Sequence, residues 1–252
     1  MKLWELGAGT SVADRAYVLV TRGPEGPGAV PDGRCGLGLV DGVPWWFGPQ
    51  TRPWLPERTG VRVVGLRLTL LAGRHVAGQS LRPWRDRRAP LAHLWDADAV
   101  DDLAARAHAA TDDADQIDAL VAAATQRVRP MPPDALLRRL ADLVTEDLPV
   151  AEVARRLGVS IRRVHQHCVD AFGLPPSVLR RTVRLHRAAR LHAAGGPGQG
   201  LADLAQAAGY ADQAHLSREM RSLTGLPPHQ ALRRSLPIRS RRAGAACLGS
   251  QA

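Results

Sequence analysis

One pattern occurs twice in the last hundred or so residues and constrains the fold more than any other feature. It is a short helix with one apolar face, a glycine where the chain must turn sharply, and a second helix with a polar outer face. The first copy is Val150-Ala-Glu-Val-Ala-Arg-Arg-Leu-Gly158-Val159-Ser160, running on to Cys168. The second is Leu201-Ala-Asp-Leu-Ala-Gln-Ala-Ala-Gly209-Tyr210, running on through Asp212 to Met220. Such a unit presents its second helix to the major groove of DNA. Two copies in one chain predict contact with two groove segments without a partner subunit.

Charge follows the pattern. Residues 148–252 carry sixteen arginines against five acidic residues, whereas residues 1–147 carry eighteen basic against nineteen acidic. A near-neutral half joined to a strongly basic one is expected of a nucleic-acid binder. Codon bias can explain why Lys2 is the single lysine beside 33 arginines, but not why acidic residues become scarce only after residue 148. At 252 residues the chain has room for two cores. It has no apolar run long enough for a membrane span and no leader-like start. Cys35, Cys168 and Cys247 are far apart and odd in number, which fits a reducing cytoplasm without disulfides or a zinc site.

Residues 1–95 read as β-rich. Tyr17–Val20 is a short apolar run, and Gly36–Val40 and Val43–Phe47 flank Asp41-Gly42, a strong two-residue hairpin turn. Val61–Leu71 alternates in part. All six tryptophans (4, 45, 46, 54, 84 and 95) fall here, either lining a ligand pocket or filling a β core. Residues 96–128 read as two helices, with Val100, Leu103, Ala107 and Ala110 on one face and Ile117, Leu120, Ala124 and Val128 on another. Arg129-Pro-Met-Pro-Pro133 is the expected boundary. A helix follows from Asp134 to about Glu146 with Leu136, Leu140 and Leu143 inward, and another from Ser177 to Ala193 carries Leu179, Val183 and Leu191.

Within the first unit, Val153, Leu157, Val159 and Val164 point inward, Ala154 allows close helix crossing, Gly158 takes a positive φ, and Ser160 caps the second helix. Arg162, His165 and Gln166 then face away, with Arg163 nearer the phosphates. In the second unit Leu204, Ala205, Ala208, Tyr210, Leu216 and Met220 form the inner set. Asp212 caps, and Gln213, Ala214, Ser217 and Arg218 face out. Arginine binds guanine O6 and N7 bidentately, and glutamine does the same for adenine N6 and N7. The second turn is one residue longer than the first. The late run Arg233, Arg234, Arg239, Arg241 and Arg242 adds salt-sensitive affinity.

Residues 134–234 resemble the AraC/XylS family of bacterial transcription regulators. The second unit carries most of the likeness through Ala205, Gly209-Tyr210, Asp212-Gln-Ala-His-Leu-Ser-Arg218 and Gly225-Leu-Pro-Pro228. The first matches through Ala154, Leu157-Gly-Val-Ser160, Val164, Gly173 and Pro176, and the intervening helix through Arg184-Leu185, Ala188 and Leu191. The resemblance implies two subdomains joined by a long helix, recognition helices in successive major grooves, and promoter activation through RNA polymerase. The chain departs from the family at Gln166 (usually Arg), Cys168 (usually aromatic) and Ala231 (usually Tyr or Phe). Pro31-Asp-Gly33, Asp41-Gly42, Gly48-Pro-Gln-Thr51, Gly65-Leu-Arg67 and Leu91-Ala-His-Leu-Trp95 are similar to an N-terminal domain of actinobacterial members.

The expected fold is therefore α+β: a β-rich N-terminal domain followed by an all-α domain of two helix-turn-helix subdomains joined by a linker helix. Its segments would be a sensor domain at 1–95, a helical connector at 96–130, a DNA-binding domain at 131–236 with units at 150–171 and 201–223, and a disordered basic tail at 237–252. The expected partners are double-stranded promoter DNA and RNA polymerase, with room for a small-molecule effector and with a monomer or homodimer both open. Neither a cofactor nor a metal is expected, since His75 and His93 have no companions at ligand spacing. Competing readings are a non-specific architectural DNA-binding protein, and a DNA alkyl-transfer protein using Cys35 as nucleophile.

Overall fold

In the computed structural model the described residues form a sheet with helices packed on one face, joined to a cluster of seven helices. The structure describes residues 2–5, 12–22, 31–53, 57–128, 134–195, 200–235 and 241–242. Trp54, the Arg129–Pro133 boundary, the loop at 196–199, and the tail at 236–240 and 243–252 lie outside the described residues, as do the side chains of Trp4, Arg233, Arg234, Arg241 and Arg242.

The sheet grows from the expected hairpin. Strands β3 (Gly36–Val40) and β4 (Val43–Phe47) pair with Val40 opposite Val43. Asp41 and Gly42 turn between them at φ +47° and +85°, matching the right-handed twist of the strands. Strand β5 (Thr59–Leu68) pairs with β3, and β2 (Ala13–Arg22) with β5. Strand β1 (Lys2–Glu5) pairs with β2, and β6 (Arg88–Pro90) with β4. All these pairs are antiparallel. The tail expected to be disordered supplies a two-residue strand β7 (Arg241–Arg242), parallel to β1, because the edge of β1 leaves backbone groups to pair.

Register explains which residues are buried. Leu66 lies opposite both Leu37 and Ala16, Val64 opposite both Leu39 and Val18, and Trp46 opposite Leu37. All of these are buried, and they meet α1 (Ala72–Ala77), α2 (Ala97–Ala109) and α3 (Asp113–Val128) through Val76, Leu103, Ile117 and Leu120. The two helices read as a connector thus share the core of the sheet. Trp46 and Trp95 belong to that core, and the Trp95 indole N–H donates to the Val76 carbonyl at 2.8 Å. On the opposite face Tyr17, Gly65, Gly38 and Trp45 form one row across four strands. A Cβ on Gly65 would collide with the Tyr17 ring, and one on Gly38 would lie 2.7 Å from the Val64 carbonyl oxygen and 3.1 Å from the Phe47 ring. The glycines are what let two aromatic rings lie close to the backbone.

The helical half holds α4 (Ala135–Thr145), α5 (Val150–Leu157), α6 (Ile161–Phe172), α7 (Pro176–Ala194), α8 (Leu201–Ala208), α9 (Gln213–Thr224) and α10 (Pro228–Ser235). Asp134 caps α4, accepting from the Leu137 N–H. That cap sets the helix phase so that Leu137, with Leu140, Ala141 and Val144, points fully inward. Leu136, read as an inward residue, is only half-buried. One core unites α4, α5, α6 and Leu179 of α7; a second unites Leu185, Ala188 and Ala189 of α7 with α8, α9 and α10.

The sheet half touches the first of these cores. Leu70 and Leu71 pack on it, the Leu81 N–H donates to the Asp170 carbonyl of α6 at 2.9 Å, and the His186 imidazole of α7 meets the Pro31 carbonyl at 3.1 Å. Gly33 seats against Thr182 and Leu179, and Gly173, which ends α6 at φ +72°, seats against Pro49 and Leu81.

Replacing Gly65 with alanine should lower unfolding stability by about 1–3 kcal/mol, because the Tyr17 ring must leave its place. The urea midpoint measures this, and an unchanged midpoint would contradict the packing described.

Candidate nucleic-acid interface

Each helix-turn-helix unit is closed by the same local chemistry. At the end of α5, Gly158 has φ +66° and the Val159 N–H returns to the Ala154 carbonyl at 3.1 Å. At the end of α8, Gly209 has φ +88° and the Tyr210 N–H returns to the Ala205 carbonyl at 2.9 Å. These bonds satisfy carbonyls that a helix end leaves open, and they need a left-handed residue. The next helix is then capped. Ser160 Oγ accepts from the Arg163 N–H at 3.2 Å, and Asp212 Oδ1 accepts from the His215 N–H at 2.6 Å. The extra residue in the second turn falls at Tyr210-Ala211: Tyr210 is buried, while Ala211 is exposed and its N–H donates to His215 Nδ1 at 3.3 Å.

Capping fixes the rotation of each second helix. In α6, Val164, Cys168, Ala171 and Phe172 are buried, which leaves Ser160, Arg162, Arg163 and Gln166 exposed and His165 half-buried. In α9, Leu216, Met220 and Leu223 are buried, which leaves Gln213, Ala214 and Arg218 exposed and Ser217 half-buried. Cys168 and Ala231, where the chain departs from the pattern that it resembles, are both fully buried. Leu157 and Val159, read as inward, are only half-buried.

Charge sorts the arginines into two groups. Arg155 and Arg156 are tied to Glu152 at 2.7 Å each, and this holds the Glu152 carboxyl at about 2, well below the usual range. Arg162 and Arg218 have no carboxylate partner among the described residues, and Arg163 reaches only the His167 ring, at 3.4 Å. Unpaired, exposed guanidiniums on a capped helix are available to a nucleic-acid acceptor.

Sequence reading missed a second set of arginines on α7. Asp147, between α4 and α5, accepts from Arg180 at 3.1 Å and Arg184 at 2.8 Å, with Arg187 at 3.8 Å. The Asp147 side chain is 10% exposed and its backbone is left-handed at φ +64°. Arg184 also stands over the Tyr210 ring at 6.0 Å; burial opposes its charge, but Asp147 holds the guanidinium above its ordinary pKa. Arg181 reaches Glu219 and Ser222 of α9 at 2.9 Å each. The spacing 180, 184, 187 on one helix face is the one local signal of this stripe that the sequence holds, and without Asp147 it points to no partner.

A cavity of about 330 Å³ lies between the sheet half and α7, lined by Arg15, Arg34, Arg67, Arg190, Asp32 and His186, and by Leu179 and Val183. Arg67 donates to Asp14 at 2.8 Å and to Asp32 at 3.2 Å. Burial depresses the His186 imidazole below its usual range, so it is neutral near pH 7. Cys35 is buried beside Gly73, and burial pushes its thiol far above the ordinary range, the opposite of what an attacking thiolate needs.

Residues 153–234 match a protein-family model described as a helix-turn-helix domain. No protein of curated function matches the chain. Among solved structures, the C-terminal domain of AraT, a response regulator from Geobacillus stearothermophilus, is 20% identical; the match covers 44% of this chain and 95% of that one, with a TM-score of 0.37. Apo ToxT from Vibrio cholerae is 11% identical over 86% of this chain and 96% of its own, with a TM-score of 0.48. ToxT with a bound unsaturated fatty acid is 11% identical over 92% and 97%, with a TM-score of 0.45.

Ser160→Ala should cost about 1 kcal/mol in thermal unfolding, with Ser160→Gly costing only a few tenths, as expected for a helix cap. Equal losses for the two would point away from capping.

Proposed function

We propose that this chain is a sequence-specific transcription regulator of the AraC type that reads promoter DNA with α6 and α9 in successive major grooves, a reading supported by the match of residues 153–234 to a helix-turn-helix domain. The observation that carries the reading is the repeated arrangement of a glycine turn and a capped second helix that carries an exposed glutamine and an exposed arginine with no carboxylate partner among the described residues. Arg162 with Gln166, and Arg218 with Gln213, are the proposed base readers. Ala214 offers a methyl surface to thymine, and Ser160, Arg163, His165 and Ser217 serve the backbone. Regulation by contact with RNA polymerase belongs to the same proposal, with activation as its expected sign.

The cavity beside α7 is the proposed effector site. Four guanidiniums against few carboxylates favour an anion, and Leu179 with Val183 favours a compact apolar body. Arg190 is exposed and has no ion pair among the described residues, so it is available to a carboxylate.

Selection from a randomised duplex library tests the reading. An enriched site with two short elements about one helical turn apart supports it. Strong, salt-sensitive binding with no enrichment would favour an architectural protein instead. At the selected site, Arg162→Ala or Arg218→Ala should each cost about 1–3 kcal/mol and relax preference at one base position. Equal losses on random DNA would contradict base readout. Benzoate or hexanoate should raise the melting temperature saturably, and less so in Arg190→Gln; no response to either acid would remove the effector site from the proposal.

A further inference from the structure

The geometry points to Asp147 as the residue that sets the spacing between the two reading heads, a role that rests on the two-headed reading above. Asp147 lies in the loop between α4 and α5 that leads into the first unit, yet its carboxylate holds Arg180, Arg184 and Arg187 along successive turns of α7. Arg180 Nε also donates to the Asp147 main-chain carbonyl at 3.2 Å, so both the backbone and the side chain of this residue are gripped. The far end of the stripe reaches the second unit. A Cβ on Gly209 would stand 3.4 Å from Arg187 Nη1 and 3.6 Å from Asp147 Oδ2, which places the second turn against the same cluster. Arg184 stands over Tyr210, the residue that follows this turn.

The two hydrophobic cores are separate, and α7 passes between them. Apolar packing is non-directional and tolerates small rotations of one unit about α7. Charge-assisted bonds from planar guanidiniums are directional, and a partly buried ionic cluster is best suited to fixing register rather than adding stability. Loop, helix and second turn meet at a single carboxylate, so the Asp147 cluster acts as the gauge between the heads.

Asp147→Asn is a clean probe, because asparagine keeps the shape and tolerates the left-handed backbone while losing the charge. Arg180→Gln is the second variant, removing the bonds from the α7 side. The full-length chain is titrated by fluorescence anisotropy against three duplexes: the selected site, the same site with one base pair inserted between its elements, and a site with one element randomised. We expect wild type to prefer the selected spacing. In both variants that preference should shrink by about tenfold, with binding to the single-element duplex within about twofold of wild type. An unchanged preference in both variants would overturn the gauge while leaving two-headed reading intact. Loss of single-element binding in both would show that the cluster merely holds the first unit together, which also overturns it. Indifference of wild type to spacing would sink the two-headed reading itself, and the gauge with it.

Discussion

One nineteen-residue helix belongs to two hydrophobic cores, and the arrangement of the helical half depends on that sharing. Neither helix-turn-helix unit is large enough to bury its apolar residues alone. Leu179 completes the first core, and Leu185, Ala188 and Ala189 complete the second. Between them α7 turns its arginines toward Asp147 on one side and Glu219 on the other. A helix so placed is a structural member under constraint from both ends. It also walls the cavity that faces the sheet half, so one element touches every feature to which a function is assigned.

The parts that the sequence disclosed are those written in local chemistry. Asp41-Gly42 specifies its hairpin through two left-handed residues, and Gly158 with Ser160, or Gly209 with Asp212, specifies a turn and a cap within a few positions. The outward set on each second helix follows from the inward one, so Arg162, Gln166, Gln213 and Arg218 are legible in the sequence as outward residues. Exposure is what the fold adds to them. Their contact with DNA is a proposal that rests on chemistry.

What stayed hidden is long-range. Strand β1 is four residues long and β6 three, too short for alternation to declare itself, and α1 is six residues ended by Gly78. The order of the sheet depends on which edges meet, which no local pattern encodes. Nothing in the local sequence Glu146-Asp147-Leu148-Pro149 distinguishes Asp147 from an ordinary surface acid. Its three partners lie 33 to 40 positions away, and only the folded path of α7 brings them together. Leu136 and Leu137 differ by one position, and a cap at Asp134 decides between them.

The joint between the two halves uses main chain as well as side chains. The Leu81 amide donates to the Asp170 carbonyl, the Pro31 carbonyl meets His186, and the bare backbones of Gly33 and Gly173 lie against side chains of the other half. Main-chain groups are the same whatever side chain they carry. Such a joint can persist while the residues around it drift, provided positions 33 and 173 stay free of a Cβ. Two proteins could therefore keep this coupling and show almost no identity across it. The heritable trace of the joint would then include a pair of glycines, whatever side chains surround them.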